Sequence, residues 1–220
     1  ASHELKTPIT AIRGFAETLI EDETIEHAIK QRFIRKIHGQ SIRLSDLVSD
    51  LLALSRLESN DKVFNTQVDL QKVVQRVCAN LQAVAQSHKV VLELETKDGP
   101  MMLLGDDNAL GQMATNLIDN AIKYTAEMGT VTVTIKVEAG TAVLIVKDDG
   151  FGIAEIDQER IFERFYRVDK ARSQSLGGTG LGLAIVKHIV QNHKGRLQLK
   201  SKLNHGSTFT VKLPLSIHSN

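Results

Sequence analysis

A single cysteine, Cys78, stands in 220 residues, which excludes an internal disulfide and every Cys-x-x-Cys zinc site. That usage suits a reducing cytosol. Neither sign of charge is in excess, since 27 Lys and Arg oppose 26 Asp and Glu. A nucleic-acid partner calls for a basic excess or stripe, so none is expected. No apolar run approaches the ~20 residues that cross a bilayer, and no signal peptide is visible. The chain is therefore expected to be soluble, without direct membrane contact. Internal repeats and low-complexity tracts are missing as well. What is present is a globular composition, 42% hydrophobic and 24% charged, long enough for one or two domains with their own cores.

The patterning changes near residue 60. Before it, Leu5, Ile9, Ile12, Ala16 and Leu19 step by four and three. Phe33, Ile37, Leu44, Leu47, Leu51 and Leu54 do the same once polar Gln40 is counted as a break. This predicts a helical hairpin over 1–21 and 24–58, with Thr24 starting the second helix, which is ~50 Å long. Two helices cannot cover both of their apolar stripes. Pairing with a second copy buries them, so the hairpin is expected to dimerise into a four-helix bundle. An ordinary helical pair packed on the rest of the chain is the plainer alternative.

A polar stretch follows, and the boundaries become 1–60 for the hairpin domain, 61–66 for a linker and 67–220 for a second domain. In the second domain the expected elements are a helix at 69–86, a strand at 89–95 and a helix at 107–124. A hairpin of alternating residues covers 130–148, a loop-rich segment 149–178, a helix 179–192, and strands 195–201 and 207–213. The result is an α+β sandwich with helices on one face of a mixed sheet.

Chemistry concentrates in four clusters. In NLIDNAIKYT (116–125), Asn116, Asn120 and Lys123 share a helix face. Side-chain carbonyls can ligate Mg²⁺ while water and phosphate fill its other positions, and the lysine can neutralise phosphate charge. Two asparagines on a helix are otherwise simply a solvated surface. In VKDDGFGI (146–153), Gly150 and Gly152 permit a tight loop, and Asp148 can accept from an exocyclic amine such as that of adenine. An Asp-Gly turn is the plain reading. In IFERFYRVD (161–169), Phe162, Phe165 and Tyr166 read as packing residues, while Arg167 can reach phosphate. In GGTGLGLAIVK (177–187), Gly178, Gly180 and Gly182 alternate just ahead of an apolar helical run, a phosphate cradle without the Walker A ending. Glycine loops also serve as hinges.

Taken in this order, with SHELKTPIT (2–10) ahead of them, the clusters resemble the sensor histidine kinases of two-component signalling. HELKTP is similar to their phospho-acceptor box, NLIDNAIKYT to the N box, DDGFGI to G1, FERFYR to the F box and GGTGLGL to G2. The wording around the first and last boxes is most like the phosphate-regulon sensor kinases of Gram-positive bacteria. The likeness runs from residue 2 to about 213. It implies a dimerisation and histidine-phosphotransfer domain followed by an ATP-binding domain of the GHKL type. His3 is then the phosphorylated residue. Asn120 ligates Mg²⁺ with Asn116 assisting, and Lys123 and Arg167 contact phosphate. Tyr124 lines or stacks on adenine, Asp148 recognises its amine, and Gly178, Thr179, Gly180, Leu181 and Gly182 form the lid over the phosphates. Asp149 stands where asparagine is usual, and Phe151 where a smaller apolar residue is frequent; neither removes a needed group.

A neutral imidazole carries a lone pair that can attack the γ-phosphorus of ATP, and an ordinary imidazole pKa of ~6.5 leaves most of it neutral at pH 7. A carboxylate accepting the ring's other proton relieves the charge that develops, and Glu4 is adjacent for that. Pro8 removes a backbone hydrogen bond just past the site and is expected to kink the helix. The implied partners are a second copy of the chain and the receiver domain of a response regulator, whose aspartate takes the phosphoryl group. Dephosphorylation of that regulator is implied too, with Thr7 orienting a water. His188 and His193 receive no role. The chain starts two residues ahead of His3, so it is expected to be the cytoplasmic fragment of a sensor in the inner or plasma membrane. Two other classes are weighed. A GHKL ATPase driving a clamp needs an acidic residue at position 116, where asparagine stands. A phosphotransfer scaffold with a dead nucleotide site has no use for Asn120, Lys123, Asp148 and a full glycine lid.

Overall fold

The computed structural model describes residues 2–22, 24–58, 64–96, 99–169 and 178–216. Its first part is a helical hairpin of α1 (Ser2–Glu21) and α2 (His27–Glu58). The helix α1 runs through Pro8 without interruption. Phe15 and Phe33 face one another across the hairpin, their ring centroids 5.4 Å apart, and Lys36 Nζ lies 5.1 Å from the Phe15 ring. Thr24 does not start the second helix. Its N–H and hydroxyl both donate to Asp22 Oδ1, at 2.9 and 2.6 Å, so the aspartate turns the chain and α2 begins three residues later.

The second part holds seven strands and three α-helices among the described residues, with two short 3-10 turns at Glu155–Asp157 and Arg160–Phe162. They are β1 (Gln67–Asp69), α3 (Leu70–Ser87), β2 (Val91–Thr96), β3 (Met102–Leu104) and α4 (Asp107–Tyr124). Then come β4 (Thr130–Glu138), β5 (Thr141–Asp148), α5 (Gly182–Asn192), β6 (Arg196–Ser201) and β7 (Ser207–Pro214). The main sheet has the order β2-β4-β5-β7-β6, with β2 parallel to β4 and every other pair antiparallel. In β4, Val131, Val133 and Ile135 are buried while the residues between them are half-exposed. Period-2 alternation thus leaves one face for the helices and one for solvent. The β4–β5 turn carries Ala139 and Gly140 at φ of 46° and 73°, the pair of positive values that a two-residue hairpin of right-handed twist requires.

Two elements were absent from the sequence expectation. The three-residue strands β1 and β3 pair antiparallel in a separate ribbon, too short for any periodic signal. Asp69 fastens that ribbon, since its Oδ1 accepts from Gln71 N to cap α3 and from Met101 N, each at 3.1 Å. The helix expected from 179 starts at Gly182, because Gly180 takes φ +77° and breaks the helical path before it. The linker expected at 61–66 lies partly outside the described residues. The two parts touch where α2 packs on α5, with Leu47, Leu54 and Leu57 buried and Asn192 Nδ2 donating to Leu57 O at 3.0 Å.

Candidate functional site

Between α4, the segment after β5 and the start of α5 lies a cavity of about 550 Å³, with α2 forming part of its wall. That volume falls within the usual range of small-molecule sites. Its first wall follows from the sequence of α4. Asp106 caps this helix, its Oδ1 accepting from Asn108 N at 2.9 Å and Ala109 N at 3.1 Å. Leu110, Met113, Ala114, Leu117, Ile118, Ala121 and Ile122 are buried. Asn116, Asn120 and Lys123 therefore fall on the flank that lines the cavity. Asn116 Nδ2 donates to Gly182 O at 3.2 Å, which joins the N box to the first turn of α5. Lys123 Nζ sits 2.6 Å from Asp119 Oδ2, both side chains about a quarter exposed.

Asp148 ends β5 opposite Ser207, which starts β7. Its carboxylate is buried, and Oδ1 takes N–H bonds from Gly150 at 3.0 Å and Ser207 at 3.1 Å, leaving Oδ2 outside both bonds. Burial pushes its pKa up to about 6; the Asp149 charge adds to the rise, and the two N–H bonds oppose it. The loop after it needs glycine. A Cβ on Gly150 would stand 2.1 Å from Tyr124 O, and Gly152, at φ +63°, would place one 2.0 Å from Lys202 O. Phe151 N donates to Tyr124 O at 3.1 Å, and this holds the loop against α4. Tyr124 lines the cavity, as do Phe151 and Gly152. Asp149, the departure from the usual asparagine, accepts from Thr130 N at 2.9 Å through Oδ1.

The third wall joins the F-box segment to the lid. Phe162, Phe165 and Tyr166 pack against the core, as their spacing predicts. Phe165 N donates to Gly180 O at 2.8 Å, and the Gly180 Cα lies so near the Phe165 backbone that a Cβ would meet it at 2.9 Å. Arg167 lines the cavity; its Nη2 donates to Thr179 O at 2.8 Å and reaches Glu4 Oε2 at 3.3 Å. Thr179 Oγ1 accepts from Leu181 N at 3.2 Å and donates to Asp50 Oδ2 at 2.6 Å. Leu181 is fully buried below the lid, while Gly178, Thr179, Gly180 and Gly182 line the cavity. Gly177, the first glycine of that motif, lies outside the described residues.

The cavity thus gathers Asn116, Asn120, Lys123, Tyr124, Asp148, Gly152, Arg167 and four lid residues. Gly150 and Leu181 support it without lining it, and His3, Glu4 and Thr7 stand apart. His3 is exposed in the first turn of α1, and Thr7 Oγ1 donates to His3 O at 3.1 Å. Glu4 is connected to the cavity through Arg167 alone among the described residues.

Sequence reasoning missed Asp46, Ser49 and Asp50, which bring α2 into the cavity wall. Their signal is present in LSDLVSDLL, where they fall on the flank beside the apolar stripe. Burial raises the Asp50 pKa, with the neighbouring Asp46 charge adding to it, against the Thr179 bond and Lys123. Among the described residues no group of three His, Cys, Asp or Glu can hold a metal. Asn116 and Asn120 line the cavity, and their side-chain oxygens together with phosphate would be donors for a cation. That donor set suits Mg²⁺, which keeps several waters and takes few protein ligands.

Two family models match the chain. Residues 105–217 match the histidine kinase-, DNA gyrase B- and HSP90-like ATPase model, and residues 1–60 match the His Kinase A (phospho-acceptor) domain. The chain belongs to the histidine kinase-, DNA gyrase B- and HSP90-like ATPase family and is the catalytic core of a two-component sensor histidine kinase. It is 39% identical over 214 residues to the sensor-like histidine kinase SenX3 of Mycolicibacterium smegmatis, covering 97% of this chain and 55% of that one. It is 36% identical over 212 residues to the phosphate regulon sensor protein PhoR of Pseudomonas aeruginosa, covering 95% of this chain and 47% of that one. The chain spans about half the length of the curated relatives it matches. Among solved structures, histidine kinase AdeS of Acinetobacter baumannii superposes with a TM-score of 0.78 at 30% identity, over 97% of this chain and 98% of that one. No helix among the described residues is long and apolar enough to cross a membrane.

Proposed function

We propose that this chain uses ATP to phosphorylate His3, passes the phosphoryl group to an aspartate of a response-regulator receiver domain, and also removes it from that regulator. The observation that carries the reading is Arg167, which lines the cavity at one end and pairs with Glu4, the neighbour of His3, at the other. The same side chain is thus in reach of a nucleotide's phosphates and of the acceptor's own turn.

In this reading residues 1–60 dimerise and carry His3, 61–66 link, and 67–220 bind ATP. Ile9, Ile20, Ile34, Ile42, Val48 and Leu52 are each 43–77% exposed on the hairpin, which supports burial against a second copy. Asp148 accepts the adenine amine, Tyr124 borders the base, and Gly150 and Gly152 let the backbone approach it. Asn120 with Asn116 would hold Mg²⁺, which supplies charge neutralisation at the phosphates. Lys123 exchanges Asp119 for phosphate, and Gly178, Thr179, Gly180 and Gly182 close over the triphosphate, with Arg167 beside them and buried Leu181 anchoring the lid from below. His3 attacks phosphorus with one ring nitrogen, and Glu4 takes the proton from the other. Thr7 orients water when the docked regulator is dephosphorylated. The cell compartment proposed is the cytoplasmic side of a membrane-anchored sensor.

The test is one incubation with γ-labelled ATP and Mg²⁺. Acid-labile, base-stable label on the wild-type chain, absent from His3→Gln, supports the kinase. Hydrolysis without protein label would assign a plain ATPase, and neither product would assign a scaffold.

A further inference from the structure

The segment that walls the cavity carries a strained turn. Tyr166 N donates to Glu163 O at 3.3 Å, closing a four-residue turn whose central residues are Arg164 and Phe165. Phe165 takes φ 63°, the only aromatic among the six described non-glycine residues with positive φ, and Arg164 is not one of the six. A positive φ at the third residue alone marks a type II turn, where glycine is usual and a bulky side chain is an outlier. In the commoner type I turn that φ is negative, and the two forms differ by about a half-rotation of the central peptide. The N–H of that peptide belongs to Phe165, and it donates to Gly180 O of the lid at 2.8 Å.

Strain of this kind persists only where surrounding contacts hold it. The Arg164 side chain supplies one, since its Nη2 pairs with Glu58 Oε1 at the C-terminal end of α2. His188 Nε2 approaches the same oxygen at 3.8 Å from α5. Burial and the Arg164 and Lys187 charges lower the His188 pKa, so the imidazole is uncharged at pH 7 and Arg164 provides the positive charge. One turn further along α5, Asn192 Nδ2 donates to Leu57 O at 3.0 Å and fixes the same end of α2. Glu58, Arg164 and His188 stand outside the cavity lining, whereas Tyr166 and Arg167, directly after Phe165, belong to it. A single turn thus holds the hairpin by its second residue and the lid by its third.

We propose that the Arg164–Phe165 peptide is a switch through which docking of the hairpin at Glu58 controls the lid. This rests on the ATP-binding reading above. While Glu58 holds Arg164, the turn keeps its type II form and the Phe165 N–H fastens Gly180. When the end of α2 withdraws, Arg164 is released and the peptide rotates to the type I form, which removes the strain at Phe165. The N–H then turns away from Gly180 O, and the lid is free to wrap a nucleotide. Two sites coupled in this way act on one another equally, so a bound nucleotide weakens the hold of Glu58 on Arg164. Glu58 and Arg164 are positioning residues, since neither touches the cavity.

The experiment uses the full chain, with fold followed by circular dichroism. Calorimetry measures binding of a non-hydrolysable ATP analogue with Mg²⁺, and nuclear magnetic resonance measures hydrogen exchange of the Phe165 amide. Glu58→Gln is expected to tighten the analogue about two- to fivefold, the scale of a half-exposed ion pair. Its Phe165 amide should exchange faster by at least that factor, while the amide of Val133, buried in β4, keeps its wild-type rate. Arg164→Gln should act in the same direction, and the double variant should bind no tighter than the tighter single, because both break one contact. Effects that multiply in the double variant overturn the proposal. So does an unchanged or weaker affinity in Glu58→Gln, or a Phe165 exchange rate that is unchanged or rises only in step with Val133. If Arg164→Gln does not fold, the Glu58→Gln measurements decide alone. A wild type that binds no analogue would sink the ATP-binding reading instead, and Phe165 exchange in Glu58→Gln would still decide the link between hairpin and turn.

Discussion

Thr179 Oγ1 donates a 2.6 Å hydrogen bond to Asp50 Oδ2, tying the glycine lid to a helix 129 residues earlier in the chain. The lid hydroxyl that would face a triphosphate is thus held by a carboxylate of the hairpin. Asp46 and Asp50 also present negative charge to the cavity that the phosphates would enter. A hydrogen bond to a charged acceptor is worth about 1.5 kcal/mol net, roughly tenfold in the balance between a held and a free lid. Asp50→Ala is therefore expected to raise the initial labelling rate of His3 several-fold and to tighten ATP binding. Stopped-time labelling checks this, and an unchanged or lower rate removes the restraint assigned to Asp50.

Asp148 makes a prediction in pH. Its carboxyl is raised to about 6, chiefly by burial, so the folded protein favours the protonated form. The stability this contributes is present in full below the ordinary carboxyl range near pH 4 and is lost as pH rises through about 6. Asparagine keeps an Oδ1 that accepts from Gly150 and Ser207 but cannot ionise. Asp148→Asn should therefore gain on the wild type between pH 4 and 7, by up to about 2–3 kcal/mol. ATP binding should move the opposite way, at least tenfold weaker at pH 7.5, because an amide turns a donor toward the adenine amine. Paired thermal melts across pH and calorimetry at pH 7.5 check both. A variant as tight for ATP as wild type would remove Asp148 from base recognition.

Asn120 has no acidic substitute that the cavity can absorb. Asp46, Asp50 and Asp119 already line it, against Lys123 and Arg167. Asn120→Asp adds charge where phosphate must enter and alters the oxygen donor offered to Mg²⁺. Labelling should fall at least a hundredfold with an unchanged circular dichroism spectrum. Undiminished labelling of the folded variant would take Asn120 out of the metal site.

How much of this is written in the sequence depends on range. The helices α1, α3 and α4 and the alternating strands β4 and β5 follow from local period and lie within a residue or two of the expected bounds. Four of the five boxes hold residues of the cavity wall, while the first, around His3, stands apart from it. The links between distant segments did not show. Asp50 reads as one more polar residue of a long helix until the lid packs on it. Arg43 sits among polar residues of a long helix in the sequence, yet it is buried. His193 received no role, yet its Nε2 accepts from Asp106 N at 3.2 Å and its ring stacks on Phe64 at 4.2 Å. Burial lowers its pKa, which keeps the ring neutral and able to accept that bond. It fixes the start of α4 from a position 87 residues away, and no spacing rule reaches that far.

The last prediction separates the two activities assigned to α1. Thr7 Oγ1 donates to His3 O, one turn back, at 3.1 Å. In that rotamer the hydroxyl hydrogen is committed to the backbone, while the oxygen's lone pairs still face outward from an exposed turn. In the proposed reaction, attack of His3 on ATP would need the imidazole, Glu4 and the cavity, and none of these would depend on Thr7. A water set in line with an aspartyl-phosphate does need a partner on this turn, and the Thr7 oxygen can accept from it. Thr7→Ala loses only an exposed side-chain bond to a carbonyl already inside a helix, so the cost in stability should stay below about 1 kcal/mol. The variant should keep at least half of the labelling of His3 and of transfer to the regulator, and it should lose regulator dephosphorylation at least tenfold. The measurement is the decay of purified phosphorylated cognate regulator with each protein and ADP present. Equal decay with wild type and Thr7→Ala would leave the hydroxyl a helix-turn bond and nothing more, and a parallel loss of both activities would assign it to the geometry of the His3 turn.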